Sequence, residues 1–312
     1  RPLLLVLVEK SLVQLTPEGR FQLHELLNQF VEEKLLAQPE ELSDRQKRHS
    51  HFYLTFLQRQ EVALKGREQL TALTAIEREI ENIRSAWQWA LTHQDIETLS
   101  CAVDALYVFY FLRSWFIEGK RTFGQAATAF AMCEPSGLRG ILWGKLLTYQ
   151  ALMGSWFNWT IGGTATGDQS EQLFRQSISI LQLLGAAEAC GYAFGAFGEL
   201  YRSLGQFDQM QSYNQQALSC AEAKDDPWQI GQALYLLGFG YFWFGEYGAA
   251  IEHLQRGVSI GEAGGDGNTL GNTLNVLSRA YRALGDFKHA QQSVQSALAI
   301  RTTIGDRHGM AW

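Results

Sequence analysis

The sequence predicts an all-α chain: a superhelical solenoid of stacked helix hairpins, each 40 residues long, preceded by a small module with one β-hairpin. Three observations carry this prediction. First, the 312 residues include 30 Gly but only 5 Pro, which excludes collagen-like and disordered chains and suits long helices. Gly inside a helix costs about 1 kcal/mol relative to Ala, so its excess demands positions that require it. Second, such positions recur. Gly191, Gly231 and Gly271 stand 40 residues apart, and aligning on them superposes Tyr201, Tyr241 and Tyr281, then Gly205, Gly245 and Gly285, then Phe207, Tyr247 and Phe287, then the small residues Ala217, Gly257 and Ala297. Third, apolar residues within a unit are spaced by 3 and 4. Leu234, Leu237 and Tyr241 share one helix face, and Ile251, Leu254 and Val258 another.

Taken in order, Leu3–Val8 is too short for a signal peptide and runs straight into Glu9 and Lys10. Leu12–Leu15 reads as a strand, Pro17-Glu18-Gly19 as a turn and Phe21–Leu23 as the return strand. His24–Leu35 follows as a helix with an apolar stripe at Leu27, Phe30, Val31 and Leu35, which completes a first module over 1–42. A helical linker over 43–99 begins with Ser43 as N-cap and holds helices near Asp44–Lys65 and Glu68–Thr92, separated around Gly66. Ile76, Ile80, Ile83 and Trp87 form its buried face, and the intervening charges a solvated one.

The repeats fill 100–312, as units 100–139, 140–190, 191–230, 231–270 and 271–310, with a sixth opening at 311. Gly205, Gly245 and Gly285 mark the turn inside a unit. Gly154 with Trp156 repeats that glycine-x-aromatic turn, and Ser114 with Phe116 does so more loosely. Gly154 lies 51 residues before Gly205, so unit 140–190 carries an insertion near 158–168. Gly198, Gly238 and Gly257 fall where helices must cross closely, and Gly264–Asn268 reads as an inter-repeat turn. One hairpin cannot bury its apolar face alone, so neighbours must stack, leaving a concave side. The chain opens on Arg1 without Met and ends as a unit begins, so it reads as a piece of a longer protein.

The composition also excludes functions. A net charge of -6 argues against direct nucleic-acid contact. Cys101, Cys133, Cys190 and Cys220 are widely spaced with no C-x-x-C, so buried reduced thiols are expected and a structural zinc is not. No apolar run reaches the roughly 18 residues of a membrane helix. A cytoplasmic setting is the expectation. No catalytic constellation occurs: the seven His are scattered without H-E-x-x-H, and Gly119-Lys120-Arg121-Thr122 lacks the upstream Gly of a phosphate loop. An enzyme in its own right is not expected.

The small-residue, Tyr and Ala columns, here Gly238, Tyr241, Ala250 and Gly257, resemble those of tetratricopeptide repeats, which implies a right-handed superhelix. The unit is longer than the usual length of about 34 residues. That longer form resembles the repeats of bacterial STAND-class signal-transduction ATPases of the maltose-activator type. The run Leu7-Val8-Glu9-Lys10-Ser11-Leu12, the hairpin and the His24-Glu25-Leu26-Leu27 helix start are similar to the end of the winged-helix module in that class, including its NB-ARC branch. Ile76–Trp87 resembles the class's linker. Leu23-His24-Glu25 stands where the class has Met-His-Asp. The resemblance therefore implies His24 as a nucleotide sensor in an intact parent that binds ATP or ADP, whereas this chain has no phosphate loop of its own and no cofactor is expected in it.

In tetratricopeptide repeats the first helix of each unit lines the groove. Carrying those columns across nominates Tyr192, Glu199, Arg202 and Ser203 in one unit, then Gln232, Tyr235, Phe239, Phe242 and Trp243, and then Asn272, Asn275, Arg279 and Arg282. Aromatics supply contact area, while Arg and Asn add directional hydrogen bonds. A peptide, a protein or a small-molecule effector such as a sugar or a carboxylate- or phosphate-bearing ligand fits this mix. The aromatics fit an inter-repeat core equally well. Gly195 and Glu199 replace the Lys/Asn pattern of chaperone-binding repeats. Trp156 and Trp159, beside the insertion, are further contact candidates. The expected role is ligand or partner sensing, relayed to an ATPase switch outside this chain, with oligomerisation open in the active parent. The alternative is a constitutive protein-interaction scaffold.

Overall fold

The structure, a computed structural model, describes residues 2–16, 19, 21–131, 134–160 and 168–304. They form sixteen α-helices, one 3-10 turn and one two-stranded sheet, in two compact units, 1–52 and 53–312.

The first unit runs α1 (Pro2–Glu9), β1 (Val13–Leu15), β2 (Phe21–Leu23), α2 (Glu25–Leu36) and the start of α3 (Pro39–Arg59). The strands pair antiparallel, Val13 opposite Leu23 and Leu15 opposite Phe21, as the hairpin pattern predicts. Val13 is the only buried apolar side chain of this unit among the described residues, while Leu5 and Phe30 are 51% and 54% exposed. Ser43 is not a helix cap. The helix starts at Pro39, whose fixed φ suits a first turn, and Glu40 and Glu41 sit at its positive end.

The second unit begins within α3 and continues through α4 (Glu61–Leu64), α5 (Gln69–Arg78) and α6 (Ile80–Thr92). The linker is thus more broken than its apolar spacing suggests. The extra break at Glu79 lets Ile76 and Ile83 both reach the core. Five hairpins follow: α7 (Ile96–Leu112) with α8 (Phe116–Phe130), α9 (Gly137–Thr160) with α10 (Asp168–Leu183), α11 (Gly191–Ser203) with α12 (Phe207–Ala223), α13 (Pro227–Trp243) with α14 (Tyr247–Gly264), and α15 (Gly267–Ala283) with α16 (Phe287–Ile304).

The turns keep the 40-residue period. Gly205, Gly245 and Gly285 have φ of 71°, 86° and 80°, the left-handed region that L-residues with a Cβ avoid. Between hairpins, Gly185, Asp225 and Gly265 take the same conformation at the same interval. Gly154 is not a turn. It lies inside α9, which is 24 residues long against 17 for α13 and α15, so part of the extra length is added helix. Residues 161–167 of the insertion, and the opening of a sixth unit at 311, lie outside the described residues.

Helices cross where the small residues stand. A Cβ on Gly238 would overlap Leu254 of α14, and one on Gly198 would overlap Asn214 of α12. A Cβ on Gly257 would stand 3.4 Å from Thr273 and 3.5 Å from Leu234, ordinary contact distances, so this crossing does not require glycine. Of the thiols, Cys190 is buried but Cys101 is exposed and Cys220 half-buried, so burial holds for one of the three described. Cys133 lies outside the described residues. No described helix is long and apolar enough to cross a membrane.

Candidate functional site

The first helices of the hairpins, α7, α9, α11, α13 and α15, pack side by side and form one wall. Chains that stack hairpins present such a wall because each second helix covers only one flank of its partner. The wall has two chemically different stretches.

Along α7, α9 and α11 it is aromatic and closed. Tyr107 stacks on Tyr149 with ring centroids 4.3 Å apart, and Tyr192 meets both rings edge-on at 5.1 and 5.8 Å. Asp104 receives the Tyr149 hydroxyl and the Lys145 ammonium, each at 2.7 Å. Burial pushes the Asp104 carboxyl up, but Lys145 and the two hydrogen bonds outweigh it and hold it below the ordinary value. Burial, with Asp104 adding to it, drives the Tyr149 hydroxyl well above its ordinary value, so it stays a donor. Lys224 is near Asp104 as well. Burial draws its ammonium down, against the pull of Asp104. Tyr192, nominated for the groove, belongs to this packed cluster, half-buried and edge-on to Trp228 at 6.2 Å.

Along α13 and α15 the wall is open. Tyr235 and Phe239, one turn apart, stack at 5.9 Å with planes 2° apart. Phe239 meets Trp243 at 6.3 Å, and Trp243 is 57% exposed. From α11, the Arg202 guanidinium stands 4.7 Å from the Phe239 ring centre and 4.6 Å from that of Trp243, and it is paired with Glu199. From α15, Arg279 lies over Phe242 at 4.8 Å. Burial pushes the Tyr235 hydroxyl up to about 12. Six nominated residues on two helices, Glu199 and Arg202 of α11 and Gln232, Tyr235, Phe239 and Trp243 of α13, thus share this stretch with the Phe242–Arg279 pair, although Gln232 is simply half-buried on α13.

The remaining nominations scatter. Ser203 is exposed and donates its hydroxyl to the Leu200 carbonyl at 2.6 Å. Asn272 accepts from the buried Arg301 of α16 at 2.8 Å, so its amide oxygen serves the hairpin. Asn275 is half-buried, and Arg282 exposed. Trp156 does not sit at a loop. It is inside α9, packed on Phe111 and Phe116 at 5.5 and 6.4 Å, because the helix continues to Thr160. The side chain of Trp159 lies outside the described residues. His24 is exposed between β2 and α2 in the first unit. Among the described residues no three His, Cys, Asp or Glu side chains gather as a metal site would need.

Spacing alone missed one group. Lys65, after α4, donates to Glu61 at 2.7 Å and to Asp226 at 3.1 Å, and stands 5.5 Å from the Trp228 ring centre. Burial draws its ammonium down, but the two carboxylates outweigh that and raise it. Part of this was legible: Asp226 and Asp266 stand 40 residues apart and each precedes a helix. Its partner in the linker lies 161 residues away and carries no periodic signal.

Comparison with known proteins agrees with the helix-hairpin fold. Residues 229–303 match the tetratricopeptide-repeat family model. No curated protein sequence matches. Among solved structures, a signal transduction ATPase with numerous domains and a tetratricopeptide-repeat sensor, from Pyrococcus horikoshii, superposes with a TM-score of 0.56 at 15% identity, covering 98% of this chain and 46% of that one. BtubC from P. vanneervenii superposes at 0.54 with 17% identity, over 75% of this chain and 91% of its own. Aspartyl phosphate phosphatase F from Bacillus subtilis does so at 0.53 with 15% identity, over 85% and 76%. This chain spans less than half of the Pyrococcus horikoshii protein. Identities this low speak for the fold alone: a right-handed superhelical solenoid of helix hairpins whose last two units carry tetratricopeptide repeats.

Proposed function

We propose that this chain is the partner-sensing region of a STAND-type signalling ATPase, and that an acidic peptide or protein segment lies along the α13–α15 stretch of the wall. The observation that carries this is a mismatch of partners. Arg202 is paired with Glu199, whereas Arg279 and Arg282 have no acidic partner among the described residues. Arg279 lies over the Phe242 ring, and Arg282 is exposed about one turn further along α15. Arg and Trp dominate binding energy at interfaces, because one offers planar hydrogen bonding and the other large area at low entropy cost.

Binding would be relayed by preference for one of two states of the parent protein, since a ligand shifts an equilibrium only by its differential affinity. The architecture of the Pyrococcus horikoshii protein supports looking for that parent. The residues present do not fit a nucleotide by themselves. There is no G-x-x-x-x-G-K-[ST] run, and His24 alone cannot cradle phosphates. Nucleotide sensing by His24 belongs to the longer protein, and no step here runs through ATP or ADP.

The test is a synthetic peptide array of acidic, aromatic-bearing segments, with calorimetry on the tightest binder. Arg279→Ala with Arg282→Ala should weaken it at least about tenfold, the loss of roughly 1.4 kcal/mol, while helicity and melting stay unchanged. Unaltered affinity would remove the site. In the longer protein, peptide that alters ATP turnover marks a sensor, and peptide that binds without altering it marks a scaffold.

A further inference from the structure

The turn between α4 and α5 reaches the far repeats. Lys65 pairs with Asp226 at 3.1 Å. A Cβ on Gly66 would stand 3.4 Å from the Gly264 carbonyl, and one on Gly265 would overlap Arg67. Two inter-repeat caps, one period apart, therefore face the same turn.

The caps are alike in one oxygen and unlike in the other. Asp226 Oδ1 accepts from the backbone of Trp228 and Gln229 at 3.0 and 3.2 Å, and Asp266 Oδ1 from Asn268 and Thr269 at 3.1 and 3.3 Å. Asp226 Oδ2 also accepts from Lys65 and from the Gln229 amide at 2.8 Å. Asp266 Oδ2 is buried and accepts no hydrogen bond. Gln69 donates to the Leu64 carbonyl at 2.8 Å, and its amide and the Thr269 side chain only partly offset the burial that pushes the Asp266 carboxyl up. A cavity of about 660 Å³ lies between the two carboxylates, bordered by Lys65, Trp228, Gly257 and Gly261.

We propose that the turn 65–67 is a latch with two seats: Lys65 rests on Asp226 and transfers through the cavity to Asp266, one repeat further on. Leaving a buried carboxylate unpaired is costly, so the second seat attracts an ammonium. Packed helix axes lie about 8–10 Å apart, a distance the flexible four-carbon stem of a lysine spans by swinging to the other side of the turn. Small residues along the cavity leave the path open. Glu61 holds the ammonium from within the same segment, so one ammonium is shared between two inter-repeat carboxylates, and occupancy of the seats is exclusive. Helices α13 and α15 carry the seats at their N-terminal ends and the aromatic stretch further along, so any tilt between them biases the latch.

Hydrogen exchange over residues 60–72 tests this without any ligand. Asn caps a helix as well as Asp, so Asp226→Asn and Asp266→Asn keep the fold. Each single variant should leave protection within about threefold of the parent chain, because the other seat remains. The double variant, and Lys65→Met, should lose at least about tenfold, the low end for a charge-assisted hydrogen bond. If Asp226→Asn alone exposes the turn as fully as the double variant, there is one seat. If the double variant keeps full protection, there is no latch.

Discussion

The two stretches of one wall solve the same packing problem with opposite chemistry. On α7, α9 and α11, tyrosines pack on each other and one of them, Tyr149, donates its hydroxyl to a half-buried Asp104–Lys145 pair. On α13 and α15, the rings stack under arginines and one of them, Trp243, remains open to solvent. In the first stretch every charge named has an internal partner within reach, so the stretch specifies geometry. In the second, guanidinium groups stand over rings, and that of Arg279 has no acidic partner among the described residues, so it has capacity left for another molecule. An identical helix hairpin therefore serves as core in one place and as surface in another, according to whether its inward columns are closed among themselves.

The sharpest way to break this comparison is to unpair the closed stretch. Asp104→Ala strands Lys145 and the Tyr149 hydroxyl, and should cost about 3 kcal/mol, the low end for breaking a buried pair because both side chains keep some solvent contact. Urea unfolding measures it, and a loss under 1 kcal/mol would show the pair to be a surface feature. Acid tests the same pair. Asp104 and Asp226 titrate below their ordinary values when folded, so their stabilisation is complete above the unfolded carboxylate range and is lost as pH falls through the folded values. Melting curves should therefore drop below about pH 4, and Asp104→Asn should flatten that dependence.

Packing between the helices of one hairpin comes next. Gly238→Val puts a branched side chain into Leu254 and should cost about 1–3 kcal/mol, visible as a lower melting temperature. Smaller still is Asp266→Asn. Burial raises the Asp266 carboxyl, so its charge opposes folding at neutral pH, and the amide should leave stability unchanged or raise it by up to about 1 kcal/mol. The least effect is expected in the open stretch, where Arg279→Ala with Arg282→Ala should stay within about 0.5 kcal/mol in urea. A loss comparable to that of Asp104→Ala would place those arginines in the framework and erase the distinction between the stretches.

The sequence made the hairpins legible because their constraints are local. A left-handed turn selects Gly at 205, 245 and 285, and a close crossing selects Gly at 238, each repeated by the period. It misplaced Gly154 because a glycine-x-aromatic pattern does not say whether the glycine ends a helix or merely admits a neighbour. Trp156 followed it into error. Of the nominated columns, register brought Arg202, Tyr235, Phe239 and Trp243 into one packed group, since positions on one helix face repeat with the helix. Asn272 was drawn instead to Arg301, a partner on another helix that no spacing announces.

By itself the sequence determined the period, the hairpins, their turns and which helix faces look inward, since glycine conformations and apolar spacing act over a few residues. Only the tertiary structure decided which inward residues find partners. Asp104 with Lys145, Lys65 with Asp226 and the arginines on their rings meet across 37 to 161 residues. Charge pairing depends on distance in space, and a solenoid sets that distance by how its repeats stack.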